Sequence, residues 1–250
     1  MRIPISKEER AMNKRFERQS LIIGEEATEY LATKTVALFG VGGVGSYAAE
    51  ALARCGVGHV VLIDSDTVSE SNINRQLCAL SSTVGLPKVR VVADRLRDIN
   101  PDLKVTEIQK FFLPENADEL DFSSYDFVID AVDTVSAKVE IAVRCASLGI
   151  PMISAMGTGN KLDPTALRVC DLAVTSGCPL ARVMRRELKK RGITHLPVVC
   201  SAETPIKPFG TDADGGKPAV GSIAFVPSVA GLIAASEAVK RLISKMETNE

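Results

Sequence analysis

The run "FGVGGVGS", a lone aspartate at position 64 and the polar stretch "DSDTVSESNINRQ" are the parts of this sequence whose residue types and spacing could do chemistry. Gly40, Gly42, Gly43 and Gly45 lie between a short apolar run and a helix-like one. Glycines there let backbone N–H groups approach an anion at a helix N-terminus, so the turn reads as a phosphate cradle. Asp64 ends the next apolar run, where a carboxylate accepts hydrogen bonds from ribose hydroxyls. This pattern fits a nicotinamide dinucleotide, the adenosine of ATP, or a plain tight turn.

The next stretch separates those readings, because it places Asp66, Asn72, Arg75 and Gln76 just past the second strand. An arginine fork and an amide suit a triphosphate, which a nicotinamide site does not need to clamp. Lys88, opening the following helix, adds a second cation, and "DAVD" at the end of a fourth strand supplies Asp130 and Asp133, hard oxygen ligands suited to Mg²⁺. Taken singly, each has a plainer role: Asp66 in a turn, Arg75 in a surface pair, Lys88 solvated, Asp133 as a helix N-cap. Their joint placement favours ATP with Mg²⁺.

The elements that must position these groups alternate. Strands are expected at 35–39, 59–66, 103–112, 125–133 and 150–157, with helices at 46–55, 86–100 and 135–148, the last closed by Gly149. That rhythm predicts an α/β fold, Rossmann-like and doubly wound, whose mainly parallel sheet binds ligands at its strands' carboxyl ends. Beyond 157 it changes to an antiparallel C-terminal extension around 166–171, a basic helix over 179–191 and a strand "LPVVCS". One domain is expected, with a helical arm at 1–33, a nucleotide-binding core at 34–157 and a substrate-side extension at 158–250. Residues 9–33 read as helix, and 201–222, rich in Pro, Gly and Asp, as a mobile loop over the site.

Thirty basic residues against 31 acidic give a net charge of −1, which argues against a surface that is basic all over and leaves room for a local patch. Six cysteines without a CxxC pair, and an N-terminus lacking an apolar signal region, fit a cytoplasmic protein with reduced thiols. The uncharged run 218–236 is interrupted by Pro227 and diluted by Gly and Ser, so it reads as a buried strand and a helix rather than a membrane span.

The motifs "RFERQ", "GVGGVGS", "DSDTVSESNINRQ", "VGLPKV", "DAVD" and "VPSVAGLIAASEAVKRLI" together resemble the ubiquitin-activating-enzyme-like superfamily over most of the chain. The resemblance implies a ThiF-type adenylating domain that activates a carboxylate as an acyl adenylate. It implies Asp64 on ribose, Asn72, Arg75 and Lys88 on the triphosphate, and Asp133 on Mg²⁺. It also implies a homodimer in which Arg18, of "RFERQ", reaches a phosphate in the other subunit's site. Sulfur-carrier activators of the superfamily usually carry two CxxC pairs; this sequence has none, so no structural zinc is expected.

Around "SGCPLARVMRRELKKRGI" and "VVCSAETP" the chain is similar to the tRNA threonylcarbamoyladenosine dehydratase family, which implies ATP-dependent cyclisation of that tRNA nucleoside. Leu180, Val183, Met184 and Leu188 fall on one face of the basic helix. The opposite face carries Arg182, Arg185, Arg186, Lys189, Lys190 and Arg191, which suits either ordinary solvation or a phosphate backbone. The resemblance selects the tRNA. The alternative is adenylation of the C-terminal glycine of a ubiquitin-like sulfur carrier, and a sulfur-transfer partner protein is conceivable for either. Cys200 is a candidate nucleophile with no obvious base near it in sequence, so catalysis is not assigned to it.

Overall fold

The structure, a computed structural model, describes residues 13–209 and 220–247. The first part of the helical arm and the centre of the expected loop lie outside the described residues. The expected helix over 9–33 is divided at Gly24, whose φ of +85° ends α1 (Glu17–Ile23) and starts α2 (Glu25–Leu31). Glycine reaches that backbone region without the steric cost a Cβ brings.

The first part of the chain after the arm alternates as predicted: β1 (Thr35–Phe39), α3 (Gly45–Arg54), β2 (His59–Ile63), α4 (Lys88–Ile99), β3 (Lys104–Ile108), β4 (Phe127–Asp130), α5 (Val135–Leu148) and β5 (Met152–Ala155). The extension adds β6 (Leu167–Asp171), α6 (Pro179–Lys189), β7 (Pro197–Ser201) and α7 (Phe225–Glu247). The sheet order is β3-β2-β1-β4-β5-β7-β6, parallel throughout except that β6 runs antiparallel to β7.

Alternation along each strand explains the two layers. Val36 and Leu38 of β1, with Val60 and Leu62 of β2, pack against α3, α4 and α7. Ala37 and Phe39, with Val61 and Ile63, face the opposite layer around α5 and α6. The described part of the run 218–236, from residue 220, forms no strand: it enters α7 at Phe225, and Pro227 sits in that helix's first turn. A proline's missing N–H costs nothing there. Among the described residues no helix is long and apolar enough to cross a membrane.

Helix α7 lies on α3 so closely that a Cβ on Gly231 would come within 2.2 Å of the Val44 carbonyl oxygen. Pro227 of the same helix lies 3.2 Å from where a Cβ on Gly43 would stand. The C-terminal helix thereby forms one wall of the glycine turn.

Candidate active site

β1 and β4 are adjacent, and their connections leave in opposite directions, which opens a crevice at their carboxyl ends. The glycine turn fills its floor. Gly40 has φ +85°, and a Cβ there would strike the Ala131 carbonyl at 2.7 Å; one on Gly45 would stand 1.8 Å from the Gly40 carbonyl oxygen. These two positions tolerate no side chain, which is the physical content of the spacing. Gly42 and Gly43 instead leave the turn's backbone open to the crevice.

A cavity of about 560 Å³ runs along this edge. Gly40, Gly42, Gly43, Asp64, Asp66, Asn72, Arg75, Gln76, Lys88 and Asp133 all line it, so most of the residues singled out in the sequence meet in one place. Gly45 stands behind the turn, at the start of α3.

Asp64 does two things. One carboxylate oxygen accepts the Val41 N–H at 2.6 Å and so braces the glycine turn; the other accepts the Asp66 N–H at 2.8 Å. Asp66 differs from its expected role on the nucleotide, because its carboxylate is the counter-ion of Lys88, with Nζ at 2.7 Å. Lys88 is itself buried, and an unpaired ammonium there would be costly. Asn72 is buried and accepts the Ser69 N–H through its side-chain oxygen at 3.2 Å. Arg75 is half-buried, its guanidinium donating to the Ser71 carbonyl and the Asn74 amide oxygen at 2.9 Å each. Those bonds set the arginine's direction while other N–H groups of the fork remain for a ligand.

The two aspartates of "DAVD" part company. Asp130 is fully buried, paired with Lys138 at 2.9 Å, and accepts the Ser154 hydroxyl at 2.6 Å and the Val132 N–H at 3.2 Å. It is spent within the protein and is no metal ligand. Asp133 is exposed in the cavity, where its recorded partner is the Thr134 hydroxyl at 3.4 Å. Thr134, not Asp133, is the residue capping α5. Among the described residues no group of three or more His, Cys, Asp or Glu side chains is placed to hold a metal. Asp133 therefore fits Mg²⁺ only as one protein oxygen in a shell completed by phosphates and water, which is how that ion is usually held.

Arg18 is exposed on α1 and does not line the cavity. Its helix is anchored at the other end of the sheet: Gln19 donates to the Cys55 carbonyl at 3.0 Å, and the Phe16 ring lies against Gly56, just before β2 begins.

The basic helix is amphipathic, with Ala181, Met184 and Leu188 buried and Leu180 and Val183 only half-buried. Arg185 departs from its expected solvent position. Its guanidinium turns inward and donates to the Leu172 carbonyl, the Thr175 carbonyl and the Thr175 hydroxyl at 2.7–3.1 Å. Arg186, Lys190 and Arg191 surround Glu187, and Lys190 and Arg186 hold that carboxyl below its usual range. Arg182 and Lys189 are exposed and make no ion pair among the described residues.

Sequence reasoning missed the far end of the cavity. Met156, Gly157, Thr158 and Gly159 after β5, Phe111 after β3, Leu180 of α6, and Val220 and Ser222 before α7 line it as well. The side-chain oxygen of Asn160 accepts the Gly221 N–H at 2.6 Å, and Asn74 donates to the Ser222 carbonyl at 2.9 Å. Both bonds span segments far apart in sequence. The signal for Gly157 and Gly159 was a second glycine pair at a strand's carboxyl end; Val220 and Ser222 fall within 201–222, the segment expected to lie over the site, although neither residue was singled out.

The profile described as the ThiF family matches residues 16–250. The tRNA threonylcarbamoyladenosine dehydratase of Bacillus subtilis is 44% identical over 93% of this chain and 96% of its own length. The Escherichia coli protein of the same name is 36% identical over 94% and 96%. A crystal structure of the E. coli enzyme in complex with ATP superposes with a TM-score of 0.87 at 35% identity, covering 96% of this chain and 100% of that one. The E. coli sulfur carrier protein ThiS adenylyltransferase is similar over less of the chain, 35% identical across 59% of it.

Proposed function

The chain belongs to the ThiF family, and on that premise we propose that it is an ATP-using tRNA threonylcarbamoyladenosine dehydratase. The observation that carries the reading is one cavity combining the glycine turn, Asp64, Asn72, Arg75, Lys88 and Asp133 with an open far end at 156–159. Similarity to named dehydratases over 93–94% of this chain supports assigning that far end to the threonylcarbamoyl group.

The work of the protein's own residues follows from their positions. Asp64 holds ribose while bracing the turn, and the turn's N–H groups receive phosphate oxygens. Arg75 and Lys88 fix the triphosphate so that the α-phosphorus faces the substrate carboxylate, and they hold the charge that gathers as pyrophosphate leaves. Mg²⁺, held by Asp133, would neutralise phosphate charge. The carboxylate becomes an acyl adenylate; a nitrogen of the neighbouring urea attacks that carbonyl, AMP departs with the carboxylate oxygen, and the nitrogen loses its proton. The ring has formed and one water has been lost overall, with ATP consumed.

The tRNA is held through Arg182 and Lys189, with Arg186 and Lys190 beside them. The protein acts in the cytoplasm as a homodimer. Leu21 and Ile22, 83% and 85% exposed beside Arg18 on α1, support a covered interface there, and the placement of Arg18 outside this chain's own cavity supports a role in a partner's site.

The test is direct. The protein is incubated with Mg-ATP and tRNA carrying threonylcarbamoyladenosine, the RNA is digested, and the nucleoside is weighed. An ATP-dependent loss of one water is expected. An unchanged nucleoside, with ATP bound, would overturn the reading in favour of sulfur-carrier adenylation.

A further inference from the structure

One side-chain amide touches both ends of the cavity. Asn74 precedes Arg75 in the polar stretch after β2, and its oxygen accepts an Arg75 guanidinium N–H at 2.9 Å. Its amide N–H donates to the Ser222 carbonyl at 2.9 Å, 148 residues further along the chain. A guanidinium only donates and a carbonyl only accepts, so the two contacts fix which way the amide lies. Arg75 stands beside the glycine turn, where a Cβ on Gly43 would be 3.6 Å from its Cγ. Ser222, with Val220, lines the far end.

A second asparagine, after β5, grips the same segment. The Asn160 N–H donates to the Gly221 carbonyl at 2.8 Å, its side-chain oxygen accepts the Gly221 N–H at 2.6 Å, and its own carbonyl accepts the Ile206 N–H at 2.7 Å. Its φ of +57° is the one positive value outside glycine among the described residues. Asparagine enters that region more readily than bulkier side chains, and there its main chain and side chain both reach Gly221. The preceding Gly159 leaves room for Val220: a Cβ on Gly159 would stand 2.5 Å from the Val220 Cγ1. The segment 220–222 is thus seated on 159–160 and tied to Asn74.

We propose that Asn74 and Asn160 are positioning residues for the tRNA-dependent reaction, holding the segment 220–222 so that the far wall of the cavity keeps its spacing from Arg75. Neither side chain lines the cavity. Asn74 acts through Arg75 and Ser222, and Asn160 through Gly221. Adenylation joins a group at the far end to the α-phosphorus of a nucleotide clamped by Arg75, so its rate depends on the two ends staying in one geometry. This role rests on the function proposed above, which gives the far wall its substrate.

The two amides differ in what they supply. Asn74 uses its side chain as acceptor and donor, whereas that of Asn160 serves as an acceptor. Asn74→Asp therefore keeps the bond to Arg75 but sets an oxygen against the Ser222 carbonyl. Asn160→Asp keeps the acceptor that Gly221 needs. Asn160→Gly keeps the backbone conformation and loses that acceptor.

The experiment uses the whole protein and has two readouts. The first is hydrogen exchange at the Gly221 amide without ligand, followed by mass spectrometry. Exchange should be about tenfold faster in Asn160→Gly and within about twofold of wild type in Asn160→Asp. Equal exchange in wild type and Asn160→Gly would overturn the proposal. The second sets tRNA-dependent AMP formation beside ATP binding. Asn74→Asp and Asn160→Gly should each lower kcat/KM for the tRNA about tenfold, with the Kd for ATP within about threefold, and Asn160→Asp should restore turnover to within about threefold of wild type. Because both amides hold one segment, the double variant should lose little more than either single one, rather than the roughly hundredfold that independent sites would give. Undiminished kcat/KM, an equal loss of ATP affinity, or additive losses would each overturn the proposal. Should Asn160→Gly fail to fold, Asn74→Asp against Asn160→Asp gives the same comparison. A wild-type protein that binds ATP yet never forms tRNA-dependent AMP counts instead against the function, and the exchange at Gly221, which needs neither substrate, still decides whether Asn160 holds the segment.

Discussion

Arg75 and Asp133 share a cavity but stand in different relations to the fold. Arg75 is steered by two hydrogen bonds to its own loop, whereas the partner of Asp133 among the described residues is the Thr134 hydroxyl at 3.4 Å. Arg75→Ala should therefore cut AMP formation by about 10²–10³-fold through lost charge stabilisation, with a melting temperature near that of the wild type. Asp133→Ala should lose activity with its Mg²⁺ dependence. Steady-state assays across Mg²⁺ concentration, beside a thermal melt, check both; normal turnover in either variant would sink its assigned role. These residues were legible in the sequence because Asp133 lies just past the carboxyl end of β4 and Arg75 in the polar stretch that leaves β2, where local rules suffice. Asp130 sits equally close, and the same rules misplaced it as a metal ligand; Asp66 lines the cavity, but its pairing with Lys88 was not legible. Their partners, Lys88 and Lys138, lie 22 and 8 residues away, and only the packed structure shows that those lysines are buried and need a carboxylate.

At the scale of elements, Lys138 of α5 ties two strand ends together. Besides Asp130 it donates to the Val132 carbonyl at 3.1 Å and the Ala155 carbonyl at 2.8 Å. It thus joins the loop carrying Asp133 to the end of β5. Lys138→Met strands a buried carboxylate and should destabilise the protein by about 3–5 kcal/mol, measured by chemical denaturation. Helix α6 supports a second prediction. Arg182→Glu with Lys189→Glu should weaken tRNA binding and flatten its salt dependence by about two released counter-ions, leaving ATP affinity unchanged. Arg185→Ala should instead loosen the 172–175 turn and lower thermal stability with an unaltered salt slope. Equal salt slopes in the charge-reversed and wild-type proteins would return the helix to ordinary solvation. The helix itself was readable from its 3.6-residue period and from Pro179 in its first turn. The inward turn of Arg185 was not, since its acceptors come from the preceding segment, outside the helical pattern. For the same reason 218–236 was misread: an apolar run has no period that separates a buried strand from the start of a helix packed on all sides.

For the whole molecule, the proposed reach of Arg18 into a partner's site would make dimerisation a functional requirement rather than an accessory. Arg18→Ala and Arg75→Ala homodimers should each be nearly inactive. Mixing them after mild dissociation should restore about a quarter of wild-type activity, because half of the mixed species are heterodimers and one of their two sites is intact. Absence of recovery, with subunit exchange shown by native mass spectrometry, would place Arg18 outside the reaction. The mainly parallel, doubly wound sheet was predictable from the alternation of elements, whereas the insertion of β7 between β5 and β6 is a long-range pairing that no local signal encodes.

The seating of α7 on α3 has a consequence for how the protein is made. The phosphate turn at residues 40–45 is walled by Pro227, and Gly231 must reach Val44 before that wall exists. Nearly two hundred residues separate the two ends of the contact, so a nascent chain with its first two strands paired still lacks a finished nucleotide site. Synthesis from the N-terminus therefore leaves the glycine turn without that wall until α7 has left the ribosome.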